Sequence, residues 1–201
     1  MDGVVIDSEK LYSLSETNLL MNYGVSFDDS DWAFIKGCTE TQFYDMVYKK
    51  FNPPIKRNLL VSKGRKMLKK TFTEKLGYME GFLDIYSKIR KHYKCALVTS
   101  TGEDLVNHID TILNIKEKFD IVITSKNTSK HKPFPDPYIR AIKLFGLKAS
   151  NCLVVEDSIQ GIQSGKAAGC PVVALEGSFS RKDLSDADHI ISSLLDIDNI
   201  L

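Results

Sequence analysis

A chain of 201 residues with 43% hydrophobic and 26% charged residues has the composition of an ordinary globular protein with one substantial core and room for a small inserted domain. A formal net charge of +1 argues against nucleic acid as a main partner, because phosphate-backbone binding calls for a strongly basic face. Uninterrupted apolar runs are only a few residues long, which argues against a membrane span, and Asp2 and Asp7 stand where a signal peptide would carry positive charge.

In chain order, the first element is a short segment, Met1 to Ile6, in which the Asp2–Gly3 pair alone signals no more than a turn. Residues 11–23 have helical patterning that stops at Gly24. Thr39, Glu40, Thr41 and Gln42 read as a capping box, with Phe43, Met46, Val47 and Phe51 on one face of the helix that follows, ended by Pro53 and Pro54. Residues 60–76 form a further helix. Its lysines and arginine (Lys63, Arg65, Lys66, Lys69, Lys70) read as a solvated face, since acids elsewhere balance them. An all-helical block over residues 8–76 therefore precedes the rest.

Past Gly81 the pattern changes. Phe82, Ile85, Tyr86, Ile89 and Tyr93 make an amphipathic helix leading into an apolar run at 95–98. Further runs at 121–123, 152–155 and 172–174 alternate with helical periods, and strands apolar on both faces indicate a parallel sheet covered on both sides by helices. Cys95, Cys152 and Cys170, with Cys38, show no metal or redox spacing. Those that open strands read as small buried thiols, in a chain suited to a reducing, cytoplasmic compartment.

Three strand ends carry chemistry. Thr99, Ser100, Thr101 and Gly102 follow the 95–98 run; hydroxyls and free N–H groups there suit phosphate oxygens, and equally suit plain capping of the next helix. Lys132 sits in a loop with Pro133, Pro135 and Pro137, which stiffen it, while Asp136 can cap the next helix and Pro137 open it. Glu156 and Asp157 end a buried strand as adjacent carboxylates. Their repulsion and lost hydration call for a cation, and hard oxygen ligands suit Mg²⁺.

Together and in this order, Asp2–Gly3–Val4, Thr99, Lys132–Pro133 and Glu156–Asp157–Ser158 with Gly161 resemble the four motifs of the haloacid dehalogenase superfamily, over nearly the whole chain. The helical block resembles the cap of its phosphoglycolate phosphatase and β-phosphoglucomutase branch. The resemblance implies a Rossmann-like core over residues 1–7 and 82–201, with a helical cap and its hinge over 8–81. It implies an Mg²⁺-dependent phosphatase that hydrolyses a small phosphorylated metabolite through an aspartyl-phosphate.

On the same footing, Asp2 is the general acid and base, and Thr99, Ser100 and Lys132 bind the transferring phosphoryl group. Mg²⁺ falls to Asp157 and the Asp2 carbonyl, with Glu156 supporting it through water. Ser8, Tyr12, Lys36, Gly37 and Thr39 are the cap residues facing substrate, although residues 36–39 read equally well as a plain turn. The nucleophilic Asp and its strand are expected immediately before Met1. A misplaced start codon is the favoured explanation, with a fragment or a degenerate, non-catalytic member as alternatives. A phosphosugar mutase is the other alternative, but Tyr12 and Glu40 stand where that enzyme has His and Arg. The expected assembly is a monomer or weak dimer.

Overall fold

The apolar runs of the second half become short parallel strands. The computed structural model describes residues 1–28, 31, 35 and 40–201. In it β1 (Ala96–Val98) pairs in parallel with β2 (Ile121–Ile123), Ala96 opposite Ile121 and Val98 opposite Ile123. A second sheet has the order β3 (Val154–Glu156), β4 (Val172–Leu175), β5 (His189–Ile191), again parallel, with Val154 opposite Val172 and Val173 opposite His189. The strand β5 has no counterpart in the sequence pattern, because only Ile190 and Ile191 are apolar and polar residues flank them on both sides.

Two compact units divide the chain: Met1–Asp7 with Gly77–Leu201, and Ser8–Leu76. Residues 77–81, grouped in the sequence with the cap as its hinge, lie in the first unit.

In the second unit, α1 (Glu9–Met21) packs on α3 (Arg57–Lys75), and α2 (Glu40–Lys50) packs on α3 as well. Leu19, Leu20, Val25, Phe43, Tyr44, Val47 and Leu60 form its core. The described residues of this unit contain no strand. Its basic face is partly engaged: Arg65 makes a bidentate pair with Glu40, at 2.9 and 2.6 Å, and Lys63 donates to the Tyr23 hydroxyl at 2.8 Å.

In the first unit, α4 (Phe82–Ile89) and α5 (Glu103–Leu113) flank β1 in sequence, α6 (Asp136–Phe145) packs on β1 and β2, and α7 (Ile159–Ala167) packs on β3 and β4. One buried cluster joins both sheets, with Val98 and Ile123 from the first and Val154, Val172 and Ala174 from the second, closed by Tyr138, Ala141 and Ile162. Of the cysteines in this unit only Cys170 is buried; Cys95 and Cys152 lie just outside their strands and are half-buried free thiols. Among the described residues no helix is long and apolar enough to cross a membrane.

The first residues follow the turn signal of the Asp2–Gly3 pair. Met1 to Ile6 wraps into a turn, with the Val5 N–H donating to the Met1 carbonyl at 2.8 Å and the Gly3 N–H to the Ile6 carbonyl at 3.0 Å. Ile6 makes an isolated bridge to Tyr78. The parallel strands form two sheets, of two and three strands.

Candidate active site

The site lies where β1 and β3 end. Glu156, the last residue of β3, is buried, and both its oxygens are taken by protein donors. Oε1 receives the Lys132 ammonium and the Tyr138 hydroxyl; Oε2 receives the Ser158 hydroxyl at 3.1 Å and the Asp157 N–H at 3.3 Å. Burial works to raise the Glu156 pKa. The Lys132 charge and the hydrogen bonds from Lys132 and Tyr138 outweigh it and hold the carboxyl down to about 2. The same surroundings, burial first and the Glu156 charge next, push the Tyr138 phenol well up, so it stays a donor.

Lys132 also donates to the Val98 carbonyl at the end of β1, at 3.3 Å, and its ammonium lies 5.1 Å from the Tyr138 ring centre. Three prolines do stiffen its loop, but the capping differs from expectation. Pro135 is the N-cap of α6, and Asp136 is its first helical residue, without a side-chain cap bond.

Asp157 lies against the turn at residue 3. Gly3 has φ +66°, and a Cβ there would fall 1.9 Å from Asp157 Oδ2. Only glycine permits this approach of backbone and carboxylate. Asp2 accepts a hydrogen bond at Oδ2 from Thr101 Oγ1 at 2.8 Å.

Thr99 is buried. Its N–H donates to the Ile123 carbonyl at 2.9 Å, and its Oγ1 accepts the Thr101 N–H at 3.0 Å. Ser100 is exposed beside it. Neither Ser100 nor Thr101 caps α5, whose N-cap is Gly102 without a side-chain bond. On α7 the cap is Ser158, whose Oγ accepts the Gly161 N–H at 3.1 Å.

The structure thus brings Asp2, Lys132, Glu156 and Asp157 together around the first residues, with Thr99 at the neighbouring strand end. Ser8 and Tyr12 belong to the second unit, where Ser8 is fully buried and Tyr12 packs edge-on against Phe72 at 5.4 Å. Lys36, Gly37 and Thr39 lie outside the described residues. Among the described residues, no three His, Cys, Asp or Glu side chains cluster as a metal-holding group. Glu156 itself is engaged by Lys132 and Tyr138. Tyr138 had no signal of its own in the sequence, and the Thr101 hydroxyl suited phosphate oxygens and capping equally.

Parallel strands joined through helices, with the polar groups gathered at strand ends, define a Rossmann-like α/β protein. The family model for haloacid dehalogenase-like hydrolases matches residues 1–175, and the chain belongs to that family. It is 28% identical over 204 residues to a bifunctional riboflavin kinase/FMN phosphatase of Arabidopsis thaliana, covering 98% of this chain and 52% of that protein. It is 30% identical over 125 residues to hexitol phosphatase A of Escherichia coli, covering 62% of this chain and 57% of the other. The chain spans about half the length of these two relatives. The crystal structure of CbbY from Rhodobacter sphaeroides in complex with phosphate shares the fold, with a TM-score of 0.81 at 18% identity, over 96% of this chain and 91% of that one.

Proposed function

We propose that the protein is an Mg²⁺-dependent phosphatase that hydrolyses a small phosphorylated metabolite through an aspartyl-phosphate. The observation that carries this reading is the gathering of Asp2, held by Thr101, of Asp157, set against Gly3, and of the Lys132–Glu156 pair at neighbouring strand ends. A cation, two acids and the Thr99 hydroxyl at adjoining strand ends suit a tetrahedral dianion and the charge that develops on it. The phosphatase names of the two relatives, and the phosphate bound by the CbbY crystal, support the same chemistry.

In this reading Asp2 passes a proton to the leaving oxygen and later takes one from the attacking water. Lys132 offsets the phosphoryl charge, and Thr99 with the Ser100 N–H takes the transferring oxygens. Glu156 anchors Lys132. The Asp157 carboxylate beside Gly3 and the Asp2 main-chain carbonyl are hard oxygen donors that suit Mg²⁺, which would supply charge neutralisation when bound. Ser8, Tyr12, Lys36, Gly37 and Thr39 are kept as candidates for substrate choice. A cytoplasmic setting and a monomeric or weakly dimeric state belong to the same proposal.

The test is release of inorganic phosphate by the natural polypeptide from a panel of sugar, polyol, nucleotide and 2-hydroxy-acid phosphates, with Mg²⁺ and with chelator. Metal-dependent release from at least one ester is expected. No release from any ester overturns the reading, and conversion of a hexose phosphate into its positional isomer without net hydrolysis replaces it with the mutase.

A further inference from the structure

We infer that Thr101 is a positioning residue for Asp2, holding its carboxylate so that proton transfer to the leaving oxygen is aligned. The inference rests on the phosphatase reading. A threonine between a strand end and a helix ordinarily caps the helix. Here α5 is capped by Gly102 without a side-chain bond, and the Thr101 hydroxyl instead donates to Asp2 Oδ2 at 2.8 Å, across 99 positions of sequence.

Thr101 is itself well fixed. Its N–H donates to Thr99 Oγ1 at 3.0 Å, and its carbonyl accepts the Ser125 N–H at 3.3 Å. Thr99 in turn donates its N–H to the Ile123 carbonyl at 2.9 Å. A continuous hydrogen-bonded path thus runs from the end of β2 through Thr99 and Thr101 to Asp2. The branched side chain of Thr101 adds a stiff χ1 to that path.

The chemistry follows from the bond's direction. As phosphorus bonds to the aspartate nucleophile of the proposed reaction, the ester P–O bond breaks, its electron pair stays on the leaving oxygen, and the proton of the Asp2 carboxyl forms the new O–H bond there. Asp2 is left as a carboxylate, and a hydroxyl already aimed at one of its oxygens becomes a charge-assisted donor. Leaving groups depend on this step to different degrees. A strongly basic alkoxide must be protonated as it departs, whereas a nitrophenolate departs unassisted.

The experiment compares Thr101→Val, which keeps the shape and lacks the O–H, with Thr101→Ser, which keeps the donor, using an alkyl phosphate and p-nitrophenyl phosphate. Thr101→Val is expected to lower kcat on the alkyl ester by roughly 10- to 100-fold, a share of the rate that a general acid contributes. KM should move less than about 2-fold, kcat on the aryl ester should fall less than about 3-fold, and Thr101→Ser should recover most of the loss. The retained aryl turnover also reports that the variant is folded; if Thr101→Val does not fold, Thr101→Ala makes the same comparison. Equal losses on both esters, a change confined to KM, or wild-type rates in Thr101→Val overturn the inference. A wild-type protein that releases phosphate from neither ester overturns the phosphatase reading and this inference with it, and that is seen before any variant is compared.

Discussion

The Lys132 ammonium and the Glu156 carboxylate form an almost dry ion pair, with side chains only 10% and 6% exposed, that ties the loop after β2 to the end of β3. Because Lys132 also donates to the Val98 carbonyl, this one side chain joins the ends of two sheets that share no strand pairing. Lys132 is thus a structural fastener as well as a candidate phosphate-binding charge, and the two roles can be separated by experiment.

Lys132→Met removes the cation and leaves Glu156 buried beside Tyr138. Losing one partner of a buried pair costs about 3–5 kcal/mol, much of it the stranded charge. The double variant Lys132→Met with Glu156→Gln should therefore regain part of that loss in urea unfolding, while phosphate release stays abolished in both. A double variant no more stable than the single one would show that the pair's charges are not what Lys132 balances.

The depressed pKa of Glu156 gives that pair a pH signature. Its folded value of about 2 lies below an unfolded glutamate near ~4.3, so the folded state binds fewer protons between them. The stability it contributes is fully present above the unfolded value and is lost as pH falls toward 2. Between pH 5 and pH 3, the wild type should lose more stability than the Glu156→Gln variant. Parallel acid limbs for the two proteins would remove Glu156 from the account.

Gly161 is the other side of the same anchor. A Cβ there would lie 2.0 Å from the Glu156 carboxyl carbon, and Glu156 cannot retreat because Lys132, Tyr138 and Ser158 hold it. Gly161→Ala should destabilise by roughly 1–3 kcal/mol through overpacking, despite alanine's higher helix propensity. Thermal unfolding measures it, and an unchanged or raised Tm would mean that the helix start shifts to make room.

Much of this was legible in the residues. Alternating apolar runs and helical periods placed β1 to β4 within two residues, because buried parallel strands leave continuous hydrophobic stretches and little ambiguity. Lys132, with its prolines, and the Glu156–Asp157 pair stood out because charges beside a buried strand need a reason. The turn at Met1–Ile6 was signalled by the Asp2–Gly3 pair, but its close approach to Asp157 was not. The roles of Thr101 and Tyr138 were hidden. Each residue type has an ordinary local role at its position, and the partner that overrides it, Asp2 or Glu156, lies elsewhere in the chain.

In the helical unit, Glu16 on α1 titrates far from its usual range: burial, and then the neighbouring Glu40 charge, raise it to about 8. Tyr44, raised by burial and by Glu40, and Arg65, paired with Glu40, complete its charged surroundings. The folded state therefore holds a proton that the unfolded chain has released between about pH 4.3 and 8, and stability falls as pH rises through that window, by at most about 1.4 kcal/mol per pH unit. Glu16→Gln should flatten this slope and be the more stable protein at pH 8. Superimposable stability–pH curves for the two would refute the assignment.

Gly3 tests the metal assignment without touching an acid. An alanine Cβ at this position would meet Asp157 Oδ2 at 1.9 Å, and φ +66° adds strain for any L side chain. Asp157 is only half-buried, so its carboxylate can swing away, unlike that of Glu156. Gly3→Ala should therefore act on the site more than on the fold. Strain at a positive φ costs about 1 kcal/mol, which moves Tm by a few degrees. Displacing an acid that holds Mg²⁺ should raise the Mg²⁺ concentration for half-maximal phosphate release by roughly 10- to 100-fold, the range that disturbed ligand support produces. Asp157→Asn sets the scale for outright loss of the ligand's charge. If Gly3→Ala keeps the wild-type Mg²⁺ requirement while Asp157→Asn loses it, the ligand is secure but its approach to Gly3 is dispensable. If both keep it, Asp157 does not hold the metal.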